Sequence, residues 1–331
     1  PLVNAPVYYA GCLPRPFSIS RSPAMRFFNT EGPVRPDIHY CLPPLHRWNL
    51  DDVLTLIERQ KYFLLHAPRQ TGKTSCLLAL MEHLNREGRY LTVYANLETA
   101  QTAREDVARG MRAICGALAS AARLYVGEER LLGWIEAAWA ARGPEGVFNE
   151  LLERWSAQTP QPLVLLLDEV DALIGDTLIS LLRQLRAGYN QRPTAFPQSV
   201  ILCGVRDLRD YRIHARSEPS PITGGSAFNI KAKSLRLGDF TEEEAATLLR
   251  EHTADTGQVF TPDALARVWD LTQGQPWLVN ALAYEACFQQ RPGRDRTQPI
   301  TAALIARAKE TLILNRVTHL DQLADKLREE R

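Results

Sequence analysis

Eight residues, Ala67-Pro68-Arg69-Gln70-Thr71-Gly72-Lys73-Thr74, constrain this chain more than any other stretch. They stand between a short apolar run, Tyr62-Phe63-Leu64-Leu65-His66, and a segment whose Leu77, Leu78, Leu80, Met81 and Leu84 repeat at helical spacing. A strand that turns tightly into a helix through Gly-Lys-Thr is the layout of a phosphate-binding P-loop. Successive backbone N–H groups there point into one concavity, and the helix N-terminus adds partial positive charge for anionic oxygens. On this reading the loop and the following Ser75 surround a nucleotide's phosphates. Gly72 lets the backbone approach closely, Lys73 reaches the β- and γ-phosphates, and the Thr74 hydroxyl ligates Mg²⁺. The usual first glycine is Ala67 here. Alanine tolerates positive φ less well, so the opening turn is expected to differ slightly. A chance Gly-Lys-Thr in a strand–turn–helix would share this spacing without binding anything.

A second signal lies further along the chain. Pro162-Leu163-Val164-Leu165-Leu166-Leu167 is continuously apolar, as strands buried on both faces of a parallel sheet are, and it ends in Asp168-Glu169. Parallel strands deliver functional groups at their carboxyl ends. In that position Asp168 holds the magnesium shell and Glu169 orients or deprotonates the attacking water. The alternative is a solvated acidic turn. Asp171 reads as support for a neighbouring turn and is assigned no chemistry.

The remaining pattern fits an α/β chain. Asn49 caps a helix with Leu50, Val53, Leu54 and Ile57 on one face. Strands are expected over 90–97, 199–205 and 230–237, and a helix over 176–187 carries Leu178, Leu181, Leu182 and Leu185. Residues 102–158 are Ala- and Leu-rich and read as helices broken near Gly127 and at Gly143-Pro144. Strands alternating with helices argue for a parallel sheet. From Asp239 onward the strands stop. Thr241 and Glu244 form a capping box, and Thr261-Pro262-Asp263 starts a further helix. The expected architecture is therefore a three-layer α/β/α sandwich over 48–238, followed by helices over 239–331. Nine of the 21 prolines precede Leu45, which excludes a regular helix there. Residues 1–24 read as a disordered tail or as sequence upstream of a start at Met25, and 25–47 as an ordered, irregular arm.

The charge is nearly balanced, 39 Lys and Arg against 38 Asp and Glu, which argues against a chain that is mainly a nucleic-acid sponge or membrane-surface binder. Apolar runs are only strand-length, so no membrane span is expected. The six cysteines are scattered, with no C-x-x-C pair; this reads as reduced thiols in a cytoplasmic protein, with a zinc site from distant residues as the alternative. A segment with Arg206, Arg209, Arg212, His214, Arg216 and Tyr211 is basic and a nucleic-acid candidate, but Asp207 and Asp210 dilute its charge.

Together, A-P-R-Q-T-G-K-T and L-V-L-L-L-D-E-V-D resemble the AAA+-related P-loop ATPases. The chain is most similar to the bacterial and archaeal AAA-like families near the origin-recognition and STAND ATPases, from about Phe27 to Leu320. The resemblance implies the additional-strand, Asp-Glu type of P-loop fold with an all-helical lid, and ATP with Mg²⁺ as cofactors. It places Arg206 where STAND-type members carry an arginine that contacts the γ-phosphate; a surface pair with Asp207 is the other reading. Gly274-Gln275-Pro276-Trp277 resembles the lid G-x-P motif, with Pro276 against the base, although a helix stop followed by a helix start explains the same residues. No sensor-2 arginine is recognisable. Arg183, Arg186 and Arg192 lie where relatives offer an arginine finger, or else form a polar helix face. Ile38, His39 and Tyr40 fall where the family's arm touches adenine, or else Tyr40 packs on the sheet. The implied activity is MgATP hydrolysis that drives or gates a conformational change on a protein or DNA partner. A slow nucleotide switch and a DNA-associated ATPase are the alternatives, and homo-oligomers are compatible with either.

Overall fold

The computed structural model describes residues 25–206, 212–215, 218–221 and 231–314. The expected tail over 1–24, most of the basic segment after Arg206 and the charged C-terminal stretch lie outside the described residues. Nine strands are described: β1 (Phe27–Phe28), β2 (His39–Tyr40), β3 (Tyr62–His66), β4 (Leu91–Asn96), β5 (Leu163–Asp168), β6 (Ser199–Gly204), β7 (Arg212–Ala215), β8 (Glu218–Pro221) and β9 (Lys231–Arg236). The helices are α1 (Leu50–Glu58), α2 (Lys73–Glu87), α3 (Val107–Val126), α4 (Arg130–Arg142), α5 (Val147–Ala157), α6 (Asp176–Ala187), α7 (Glu242–Thr256), α8 (Pro262–Thr272), α9 (Pro276–Tyr284), α10 (Arg291–Arg294) and α11 (Ala302–Leu314).

Five strands form one parallel sheet in the order β4-β5-β6-β3-β9. Strand β6 is inserted between β3, which leads into the P-loop, and β5, which ends in Asp168. That inserted strand is the additional strand of the P-loop fold expected from the sequence. Side chains alternate across the sheet. Tyr62, Leu64, Leu165 and Leu167 enter one core with residues of α3 to α6, whereas Phe63, Leu65, Val164 and Leu166 enter a second core with residues of α1 and α2. Two buried faces explain why β3 and β5 read as unbroken apolar runs.

Local chemistry sets the helix limits. Asn49 accepts the Asp52 N–H at the start of α1, and α2 runs between Gly72 and Gly88, both in the left-handed region. Thr241 and Glu244 make the reciprocal capping box that opens α7. The later helices share a third core. The arm over 25–47 belongs to it: β1 and β2 pair in parallel, and Phe28 and Tyr40 sit among Phe240, Leu248, Leu249 and Phe260. Tyr40 therefore packs on the helical layer, not on the sheet.

Candidate functional site

The turn after β3 carries its strain at Gln70 and Gly72, with φ of 64° and 90°. Ala67 is not among the positive-φ residues; it is buried and its N–H bonds to the Gly204 carbonyl on β6. The positive φ that would make alanine costly is therefore not required at Ala67. Thr71 is buried and closes the loop by donating to the Pro68 carbonyl at 2.8 Å. The Lys73 ammonium is almost wholly buried and lies 3.0 Å from the carbonyls of both Ala67 and Pro68.

Asp168 is the last residue of β5 and is fully buried. Thr74 Oγ1 donates to its Oδ2 at 2.7 Å, Tyr94 Oη donates to the same oxygen at 3.0 Å, and the Glu169 N–H reaches Oδ1 at 2.9 Å. The Cys203 thiol, buried on the other flanking strand, is pushed well above its ordinary pKa by burial first and then by the charge of this carboxylate. Glu169 follows in the left-handed region, φ 56°, at a sharp turn out of the strand. Its carboxyl is pushed above the ordinary value by burial first, then by the charges of Asp168 and Asp171, with Lys73 and Arg69 pulling the other way.

The loop and Glu169 border a cavity of about 590 Å³. Its floor includes Arg69, Gln70, Gly72, Lys73, Thr74 and Ser75, with Glu169 at one side. Phe240, Leu248, Pro276, Trp277 and Asn280 face it from the helical layer. The arm closes the third side. The Trp277 indole donates to the Thr30 carbonyl at 3.0 Å, and the Val34 N–H donates to Ser75 Oγ at 3.0 Å, so one loop of the arm touches both layers. Tyr40 also lines the cavity, while its hydroxyl donates to Asp255 and meets His252 Nδ1, each at 3.2 Å. A rim of phosphate-binding groups joined to an apolar, aromatic wall suits an amphipathic anion of nucleotide size.

The structure thus gathers Arg69, Gln70, Gly72 to Ser75, Glu169, Tyr40 and Pro276 around one cleft, with Thr71 and Asp168 buried behind it and Ala67 and Pro68 as carbonyl partners of Lys73. Arg206 is exposed, two residues past β6, and is not among the cavity's lining residues. Arg192 faces elsewhere: its guanidinium stacks on Tyr189 at 3.3 Å and donates to the Gln60 carbonyl, at the opposite end of the strands from the P-loop. Arg183 is exposed on α6 and Arg186 is half-buried there. Sequence reasoning missed Arg47, Tyr94, Glu98 and Asn280. Arg47 donates to the carbonyls of Thr71 and Gly238 and stacks on Phe240 at 4.6 Å.

The donors beside Lys73 are oxygens, from Thr74 and Asp168, which suit a hard cation such as Mg²⁺ that keeps several waters. Among the described residues, no group of three or more His, Cys, Asp or Glu side chains is placed to hold a metal ion. No described helix is long and apolar enough to cross a membrane.

Solved structures share this architecture. A Walker-type ATPase of Pyrococcus abyssi superposes with a TM-score of 0.54 at 14% identity, over 90% of this chain and 80% of that one. Cdc6p of Pyrobaculum aerophilum superposes with a TM-score of 0.51 at 19% identity, over 77% of this chain and 62% of that one. At such identities the likeness speaks for the fold alone. No curated protein sequence matches the chain. The model of a family described as AAA-like domain matches residues 51–327, and the chain belongs to that family.

Proposed function

We propose that the chain binds MgATP in the cleft between the P-loop and the helical layer, and hydrolyses it to gate a movement of that layer against a macromolecular partner. The observation that carries this reading is the grouping of Lys73, Thr74 and Glu169 on one rim of a cavity whose other wall is Phe240, Pro276 and Trp277, with Asp168 buried directly behind Thr74. Phosphates fit the rim and a base fits the wall. Membership of the AAA-like domain family supports nucleotide as the ligand, and a protein or DNA is the candidate partner.

The roles follow from the geometry. The loop amides and Lys73 neutralise phosphate charge once the ammonium leaves the Ala67 and Pro68 carbonyls. Thr74 and Asp168 are the groups to hold Mg²⁺, whose charge offsets that developing on the phosphoryl oxygens. Glu169 accepts a proton from the attacking water. The 239–314 helices act as the lid, and the arm loop touching Ser75 and Trp277 responds when the cleft fills. Arg206 would have to swing in to sense the γ-phosphate, and this reading does not depend on it.

A slow nucleotide switch is the second reading. It is favoured by the lid's contribution to the cavity, Phe240, Leu248, Pro276, Trp277 and Asn280, which among the described residues contains no basic residue to stabilise transferred charge. Turnover measured with and without DNA separates the two: a DNA-acting motor speeds up, whereas a switch stays slow. A chain that binds no nucleotide with or without Mg²⁺ overturns both.

A further inference from the structure

Asp168 is unusual among the site's groups because its carboxylate is fully buried yet has no cation within ion-pair distance among the described residues. A buried carboxylate in that position must be held by hydrogen-bond donors. Thr74 supplies one, the Glu169 N–H a second, and a third comes from Tyr94, from a strand that contributes nothing else to the phosphate loop. Tyr94 sits two residues before the end of β4, opposite Leu166 of β5, on the sheet face that carries α2. Its ring is buried and its edge meets Tyr125 at 6.2 Å, so the hydroxyl is aimed by packing on both sides.

We infer that Tyr94 is a positioning residue for the metal side of the site, acting through Asp168. Its hydroxyl fixes one oxygen of the carboxylate from the β4 side, while the Glu169 N–H holds the other oxygen. Both oxygens are then oriented before any cation arrives. The Thr74 hydroxyl oxygen can use a lone pair on Mg²⁺ while its proton stays on Asp168, and Tyr94 keeps the carboxylate from rotating away. Partners that orient a metal-side carboxylate in this way typically change metal affinity by about 10–100-fold when removed. This rests on the MgATP reading above and goes beyond it by assigning a residue outside the P-loop and Asp-Glu segments.

The test uses Tyr94→Phe, which keeps the ring and deletes the hydroxyl. Binding of a fluorescent ATP analogue is titrated with Mg²⁺ and, separately, followed in EDTA. The expected result is unchanged affinity in EDTA and a half-saturating Mg²⁺ concentration raised by about tenfold, partly restored by Mn²⁺, which binds such sites more tightly. A merely structural role would weaken binding equally in both conditions. If Tyr94→Phe folds poorly, Tyr125→Leu removes the ring that aims the Tyr94 hydroxyl and is expected to raise the Mg²⁺ requirement in the same selective way. Mg²⁺ titrations of the folded variant that superimpose on the parent's overturn the assignment of Tyr94 alone. A parent whose nucleotide affinity ignores Mg²⁺ overturns the metal site itself, and the assignment with it.

Discussion

The guanidinium of Arg47 donates to the main-chain carbonyl of Gly238 at 2.6 Å, and its other nitrogen donates to the carbonyl of Thr71 inside the P-loop. One side chain from the arm thus joins the phosphate loop to the link between β9 and α7, where the helical layer begins. Burial lowers its pKa, and the acidic groups that act on it, Glu244 and Asp239, do so only at a distance. Its ring partner Phe240 in turn donates its N–H to the Gly274 carbonyl at 2.8 Å, just ahead of Pro276. A continuous path of contacts therefore runs from the loop that would hold phosphate to the helix that would face the base.

Arg47→Ala should cut that path. Two carbonyls lose a charged donor, and Phe240 loses its cation, so stability should fall by about 1–3 kcal/mol, read as a lower urea midpoint. The more specific expectation concerns coupling. In the parent, nucleotide should slow backbone hydrogen exchange both in the P-loop and over 238–276; in the variant, protection should remain in the loop and fade in the lid.

Gly274 is the other point where this path is vulnerable. Its φ is +77°, and a Cβ there would lie 2.0 Å from the Phe240 carbonyl oxygen. Gly274→Ala therefore combines backbone strain with a clash that no flexible side chain can relieve, and should cost about 2–3 kcal/mol. Gly238→Ala is the matched control, because its Cβ would meet nothing within 4 Å and its φ is not in the left-handed region. Thermal unfolding of the two variants should show a clear loss for the first and little change for the second.

The parts of the site carried by contiguous segments are legible in the amino-acid order itself. Ala67 to Ser75 and Asp168-Glu169 are each set locally: a strand, a turn and a helix start, or a buried strand and its end. That 199–204 is a strand and that helices follow Asp239 is legible from the apolar runs, whereas the insertion of β6 between β3 and β5 is implied only by the family resemblance. Arg47 and Tyr94 are not legible in this way, for one physical reason. Each acts through a neighbour fixed by tertiary packing, Gly238 at 191 residues' separation and Asp168 at 74, and neither lies in a periodic pattern that marks it. The arm misleads for a related reason: its prolines exclude helix but say nothing of which layer it joins, and Phe28 and Tyr40 pack with the lid.

The raised carboxyl of Glu169 gives a prediction with a sign. Its ordinary value is 4.5, and the folded value lies above it because burial disfavours the charged form. Below pH 4.5 the group is protonated in both folded and unfolded chains and costs nothing. As pH rises through 4.5 towards the folded value, the unfolded chain ionises first, so stability falls and stays lower beyond the folded value. Glu169→Gln removes that loss, and the ligand-free variant should melt higher than the parent at about pH 7 but not at about pH 4. It should also retain MgATP and hydrolyse it about 10²–10⁴-fold more slowly. In the parent, the hydrolysis rate should rise with pH across an apparent pKa above the usual carboxylate range, since the base must be deprotonated.

Lys73 offers the most direct test of the cleft. Its ammonium is nearly buried and bonded to two neutral carbonyls, so an anionic phosphate would be a stronger partner than either. MgATP at about a hundredfold excess over Kd should stabilise the parent by about 2.7 kcal/mol, seen as a shift in urea midpoint. Lys73→Ala leaves the phosphate charge without its cation and should abolish that shift. It should leave the ligand-free fold close to parental stability, because what it loses are contacts internal to the loop rather than to either core. A variant that still shifts with MgATP would mean that the triphosphate is gripped somewhere other than this turn.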